Sequence, residues 1–265
     1  TDYRDVLKDD EVEAISICTP NATHAPIAID CLKAGKNVLC EKPASVTADL
    51  AKQMKDAADQ SGKILNIGVV NRFNAAVNHI KDMISAGELG NVYHIYCSFR
   101  SHRSIPGLGG WFTTKDISGG GVLIDWGVHF LDLIFYCLNP VDLVSVSSSA
   151  YSELAKNMKD YTFVDMWAGP PDYNGVYDVE EMVTGLIRTT GPTISFNGAW
   201  AQNIDESAMF IEFMGDKGGI KLQYGGNFTY YTAKNSVLYE TTPSFKANNP
   251  FYDEIDDFLK ASVEN

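Results

Sequence analysis

The sequence predicts an α/β protein: a doubly wound parallel sheet that is incomplete at its start, followed by an α+β domain built on a large open, mostly antiparallel sheet. Three observations predict it. Short apolar runs alternate with helical segments over the first seventy residues, which is the pattern of buried parallel strands joined by helices. After Asn71 the pattern turns to long runs of period-two alternation. Between the two lies an apolar segment, residues 118–138, that carries three polar side chains.

Taken in order, AISICT (14–19) reads as a first strand ending at Pro20-Asn21, and a helix over about 24–34 stops at Gly35. NVLCEKP (37–43) is the second buried strand, a helix over about 47–61 stops at Gly62, and KILNIGV (63–69) is the third strand. This places a first domain at 1–71 and a second at 72–265. In the second, a helix over 75–90 precedes the runs VYHIYCSFRS, VDLVSVSSSAY, EEMVTGLIRTT, TISFNGAWAQ, AMFIEFMG and GGIKLQY, with a helix over 122–138 and a terminal helix over 251–262 packed against them. Residues 153–178 read as a loop excursion. The sheet face carrying Phe196, Trp200, Phe210 and Phe213 is expected to pair with another copy, giving a homodimer or homotetramer.

Composition narrows the function classes. Among 265 residues, 34 acidic against 21 basic side chains give a net charge of −13, a field that repels nucleic acid and anionic membrane surfaces. No basic-then-apolar leader is present, and a cytoplasmic protein is expected. The five cysteines form no CxxC pair and read as reduced core thiols, so no metal site is expected.

The strand ends carry the chemistry. Thr19, Pro20 and Asn21 follow the first strand at the rim where open α/β sheets bind ligands, although Asn21 or Thr23 also suits a helix cap. Glu41 and Lys42 follow the second strand, either as a solvated loop or as an ammonium able to bond a substrate oxygen. Within 118–138, Asp125, His129 and Asp132 stand four and three residues apart and so share one side of a helix. A carboxylate one turn from an imidazole could fix its tautomer and support its charge, leaving Asp132 to a structural role.

TPNATH (19–24), AGKNVLCEKP (34–43), NIGVVNRF (66–73) and SGGGVLIDWGVH (118–129), in this order, resemble the Gfo/Idh/MocA family of NAD(P)-dependent sugar and polyol oxidoreductases over nearly the whole chain. The resemblance implies NAD or NADP as cofactor and a small carbohydrate or polyol as substrate. It implies Lys42, Asp125 and His129 as the catalytic set. Thr19, Pro20, Asn21, His24, Glu41, Lys42 and Arg72 would line the cofactor site. Beside the catalytic set and Arg72, the side chains His102, Arg103, Trp111, Lys115 and Trp126 are candidates for substrate contact, with core packing an equal reading for the two tryptophans. The family also includes glycoside hydrolases or lyases that use bound NAD transiently, and a non-catalytic sensor is a third option. The family's glycine turn, the residue that separates NAD from NADP and its last helix have no counterpart here. The AISICT strand is therefore expected to need an upstream neighbour on its open edge.

Overall fold

The computed structural model describes residues 2–138, 140–246 and 248–264. After a short helix α1 (Tyr3–Val6), strands β1 (Ala14–Ile17), β2 (Asn37–Glu41) and β3 (Leu65–Gly68) form a parallel sheet in that order. The crossovers are α2 (His24–Lys33) and α3 (Ala48–Ser61), the latter started by Thr47, whose hydroxyl accepts from Leu50 N–H. Ile17, Ala28, Leu32, Val38, Cys40 and Met54 make one core between sheet and helices. Among the described residues β1 has a partner only on its β2 side.

Asn74 caps the next helix, α4 (Ala75–Ser85), by accepting from Ala76 and Val77 N–H. This helix is shorter than the 75–90 expected, ending before the Gly87 turn. Strand β4 (Val92–Arg100) follows, and the chain passes a four-residue helix α5 (Lys115–Ser118) to reach the apolar segment. That segment is no uniform α-helix: Leu123–Gly127 is a π-turn that continues into α6 (Val128–Leu138). By length and composition Lys115–Leu138 could cross a membrane, yet its Phe130, Leu133 and Ile134 sit in the folded core.

Strands β5 (Leu143–Tyr151), β6 (Met182–Thr189), β7 (Thr193–Ala199), β8 (Ala208–Gly215), β9 (Gly218–Gln223), β10 (Phe228–Lys234) and β11 (Val237–Thr241) join β4 in an eight-stranded sheet. Its order is β11-β10-β9-β8-β4-β7-β6-β5, antiparallel throughout except for the parallel β4–β7 pair. The hairpin β10–β11 was not expected. Its turn is Asn235-Ser236, both at positive φ, without the glycine that would have signalled it. The terminal helix α7 (Pro250–Glu264) returns to pack on the 70–73 turn at the domain crossing.

The expected aromatic outer face is corrected. Phe196, Trp200 and Phe213 are buried in the core under α4 and α6; only Phe210 looks out, with Lys221 Nζ over its ring. Alternation accounts for this: 210 and 213 necessarily lie on opposite faces of β8.

Candidate active site

Three local structures bring distant residues together. The loop after β1 is tied to the loop after β2 by His24, whose ring nitrogens lie 2.7 Å from Pro43 O and 2.8 Å from Thr19 O. The Asn21 amide donates to Ser118 O at 2.8 Å, joining that rim to the start of the glycine run. In the run itself, Gly119 takes φ 84° to end α5. A Cβ on Gly121 would lie 1.8 Å from Glu180 O, so only glycine lets the 180 loop close on this turn.

This brings the Lys42 ammonium to Asp125. Lys42 Nζ donates to Asp125 Oδ1 at 3.0 Å and to Asp125 O at 3.1 Å, while Asp125 Oδ2 accepts from Trp200 Nε1 at 3.1 Å. Asp125 is 7 % exposed and Trp200 fully buried, so the carboxylate has both oxygens occupied in a dry setting. The expected Asp125–His129 pairing is therefore corrected: the carboxylate holds the lysine. His129 Nδ1 instead lies 3.4 Å from the Asn71 amide nitrogen, which also donates to the Tyr224 hydroxyl at 2.9 Å. Burial, reinforced by the nearby Lys42 charge, lowers the His129 pKa to about 4, so the ring is neutral at physiological pH.

Two cavities share the Lys42–Asp125 pair. One, of about 240 Å³, opens at the strand ends among Cys18, Thr19, Asn21, Glu41, Trp111 and Phe112. The other, of about 450 Å³, lies among Trp126, His129, Phe130, Met209 and Tyr224. Trp167, from the loop excursion, borders both.

Of the candidates from sequence, Thr19, Asn21, His24, Glu41, Lys42, Asp125 and Trp111 line the first cavity, and Trp126 and His129 the second. Pro20 is the residue before the 3₁₀ turn that follows β1. Arg72 is engaged elsewhere, by a two-pronged bond to Asp132 at 2.8 and 2.5 Å, which gives Asp132 its structural role. Neither cavity is lined by His102, Arg103 or Lys115. His102 pairs with Asp205, Arg103 bonds Thr162 O and Asn203, and Lys115 borders a separate cavity beside Gly119 and Glu180. Asn71, Trp167, Trp200 and Tyr224 were missed. Asn71 alone stood inside a recognised motif.

Residues 1–69 match the family described as "Oxidoreductase family, NAD-binding Rossmann fold", and residues 77–221 match the "GFO/IDH/MocA C-terminal domain". The chain belongs to the Gfo/Idh/MocA family. It is 31% identical over 212 residues to D-glucoside 3-dehydrogenase of Escherichia coli (strain K12), covering 79% of this chain and 58% of that one. Similarity to a putative UDP-kanosamine synthase oxidoreductase subunit of Amycolatopsis mediterranei (strain S699) is 28% over 233 residues, 86% of this chain and 62% of that one. The chain thus spans about three-fifths of these relatives' lengths. A levoglucosan dehydrogenase solved with NADH and levoglucosan superposes with a TM-score of 0.83 over 100% of this chain and 74% of that one; at 22% identity this likeness establishes the shared fold. The first, parallel sheet accordingly lies within the match to the family's NAD-binding Rossmann fold.

Proposed function

We propose that this Gfo/Idh/MocA chain is the catalytic part of an oxidoreductase that moves a hydride between a nicotinamide cofactor and a hydroxyl-bearing carbon of a sugar or polyol. The observation that carries the reading is the Lys42–Asp125 pair shared by a cavity at the Rossmann strand ends and a second cavity lined by His129, Trp126 and Tyr224. A flat, polar ring suits the first cavity, whose walls are the Trp111 and Phe112 rings and the polar groups of Thr19 and Glu41. When bound, the nicotinamide supplies or accepts the hydride. The residues of 1–71 would hold its reactive end, and 72–265 would bring the substrate.

In this reading Lys42 bonds the reacting oxygen and exchanges its proton, with Asp125 keeping the ammonium aimed. Trp200 fixes Asp125 from behind. His129 bonds the same oxygen from the far wall, and Trp126 and Trp167 offer apolar faces to the ring of a carbohydrate. Burial of Asp125 behind the half-buried Lys42 limits the water that would compete for these bonds.

The test is nicotinamide absorbance during incubation of the full-length protein with inositols, aldoses and glycosides. Accumulation of reduced nicotinamide supports the reading. Release of an aglycone with no net change in absorbance would replace it with hydrolysis or elimination through transient oxidation.

A further inference from the structure

His129 has a different orienting partner from the one its sequence spacing suggests. Asp125, one turn earlier, has both carboxylate oxygens occupied by Lys42 and Trp200. At Nδ1 stands the Asn71 amide, 3.4 Å away, contributed by the turn after β3. Asn71 is itself anchored on the Tyr224 hydroxyl at 2.9 Å, and the Tyr224 ring is fixed by stacking on Phe130 with centroids 4.6 Å apart. Whichever way the amide is turned, it brings no charge. We propose that Asn71, anchored by Tyr224, is the positioning residue for His129 and keeps it a neutral hydrogen-bonding group, so that the proton exchanged with the substrate travels through Lys42.

The surroundings support this from every side. Ahead of the ring is Lys42, whose ammonium opposes an imidazolium. On its own helix, Asp125 belongs to Lys42, and Asp132 belongs to Arg72. Tyr224, from beyond β9, is half-buried and held above its usual pKa by that burial, so it is a neutral phenol. No free carboxylate is left among these groups to support a charge on His129. Burial and Lys42 together place its pKa at about 4.

The inference rests on the oxidoreductase reading above for its chemical step. In the oxidative direction the Lys42 ammonium first releases one proton to solvent; the substrate O–H bond then breaks and its proton passes to the resulting Lys42 amine, which stays aimed by Asp125. The electron pair of the adjacent C–H bond leaves as hydride to the nicotinamide as C=O forms, and reduction reverses each transfer. His129 gains and loses nothing.

The experiment uses full-length protein with ¹⁵N-labelled histidine, the His129 signal being assigned by its disappearance in His129→Gln. In the wild type His129 should stay neutral from about pH 9 down to about pH 5, and Asn71→Asp should raise its midpoint by about one unit or more, since a nearby carboxylate favours the charged ring. The same variant should introduce an acidic limb in kcat/KM that moves with that midpoint. Tyr224→Phe, which keeps the ring stack, should lower kcat about tenfold with KM little changed, as one anchoring hydrogen bond is lost. A wild-type midpoint near the ordinary value of about 6.5, or an Asn71→Asp midpoint unmoved, would overturn the proposal. Failure of every sugar and polyol to turn over would overturn the oxidoreductase reading, while the titration would still decide the role of Asn71.

Discussion

At the scale of single residues, the site turns on where the charge of Asp125 goes. Spending both oxygens on Lys42 and Trp200 makes the carboxylate a clamp on the lysine, with no part left for the imidazole. Asp125→Asn keeps an acceptor for Trp200 while removing the charge that holds Lys42, and is expected to lower kcat by about 10² to 10⁴, the range of a general acid–base contribution. Lys42→Ala and His129→Ala should likewise cost turnover far more than cofactor affinity, checked by steady-state kinetics beside nicotinamide titration. Equal losses of both would make these residues cofactor ligands. Trp167 calls for a different expectation. It is 59 % exposed, meets Phe112 edge-on at 5.0 Å, and borders both cavities without offering an acid or base. Trp167→Ala should therefore raise KM for the sugar with kcat little altered, and a fall in kcat alone would place it outside the binding surface.

At the scale of elements, the parts legible in the sequence are those whose information is local. The three parallel strands, their helices and the EKP and GGGxxxDxGxH motifs each lie within a short window, and Lys42, Asp125 and His129 were found that way. What was not legible joins residues far apart in the chain: Trp200 reaches Asp125 across 75 positions, and Tyr224 reaches Asn71 across 153. No periodicity records such pairs. The same reason explains His102, Arg103 and Lys115, whose closeness to the catalytic motif in sequence was not closeness in space. The glycine run shows an element whose role only packing discloses. Its spacing marks a turn, but the 1.8 Å approach of Glu180 O to a Cβ on Gly121 makes that turn the seat of the 180 loop. Gly121→Ala should cost about 1–3 kcal/mol by overpacking, read as a lower denaturant midpoint. An unchanged midpoint would mean that the loop yields freely.

At the scale of the whole molecule, one surface and one buried acid remain. The eight-stranded sheet is covered by helices on one face, while its other face presents Phe210 and leaves Ser98 Oγ and Asn197 Oδ1 buried without partners among the described residues. We expect a second copy to cover that face, giving a homodimer or homotetramer; a monomeric mass for the full-length protein in solution would contradict this. The buried acid is Glu254, on α7 where that helix returns to the domain crossing. It is 4 % exposed, its Oε1 has no hydrogen-bond partner among the described residues, and burial followed by the charge of Glu41 raises its pKa to about 7. The native state therefore holds a proton on Glu254 that the unfolded chain, at the ordinary 4.5, has already released. Between those two values the native state binds more protons, so this group's contribution to stability declines as pH rises through the window. His129 acts in the opposite sense, because its lowered pKa costs stability as pH falls from 6.5 toward about 4. The two slopes overlap and mask each other in the wild type, so the difference between variants is the informative quantity. Glu254→Gln keeps the neutral shape and cannot lose a proton. Its melting temperature should match that of the wild type near about pH 4 and exceed it progressively up to about pH 7, levelling off above, where the wild-type carboxylate is charged in a buried site beside Glu41. Parallel curves across that range would show that Glu254 is solvated, and that α7 does not seal the junction between the two sheets.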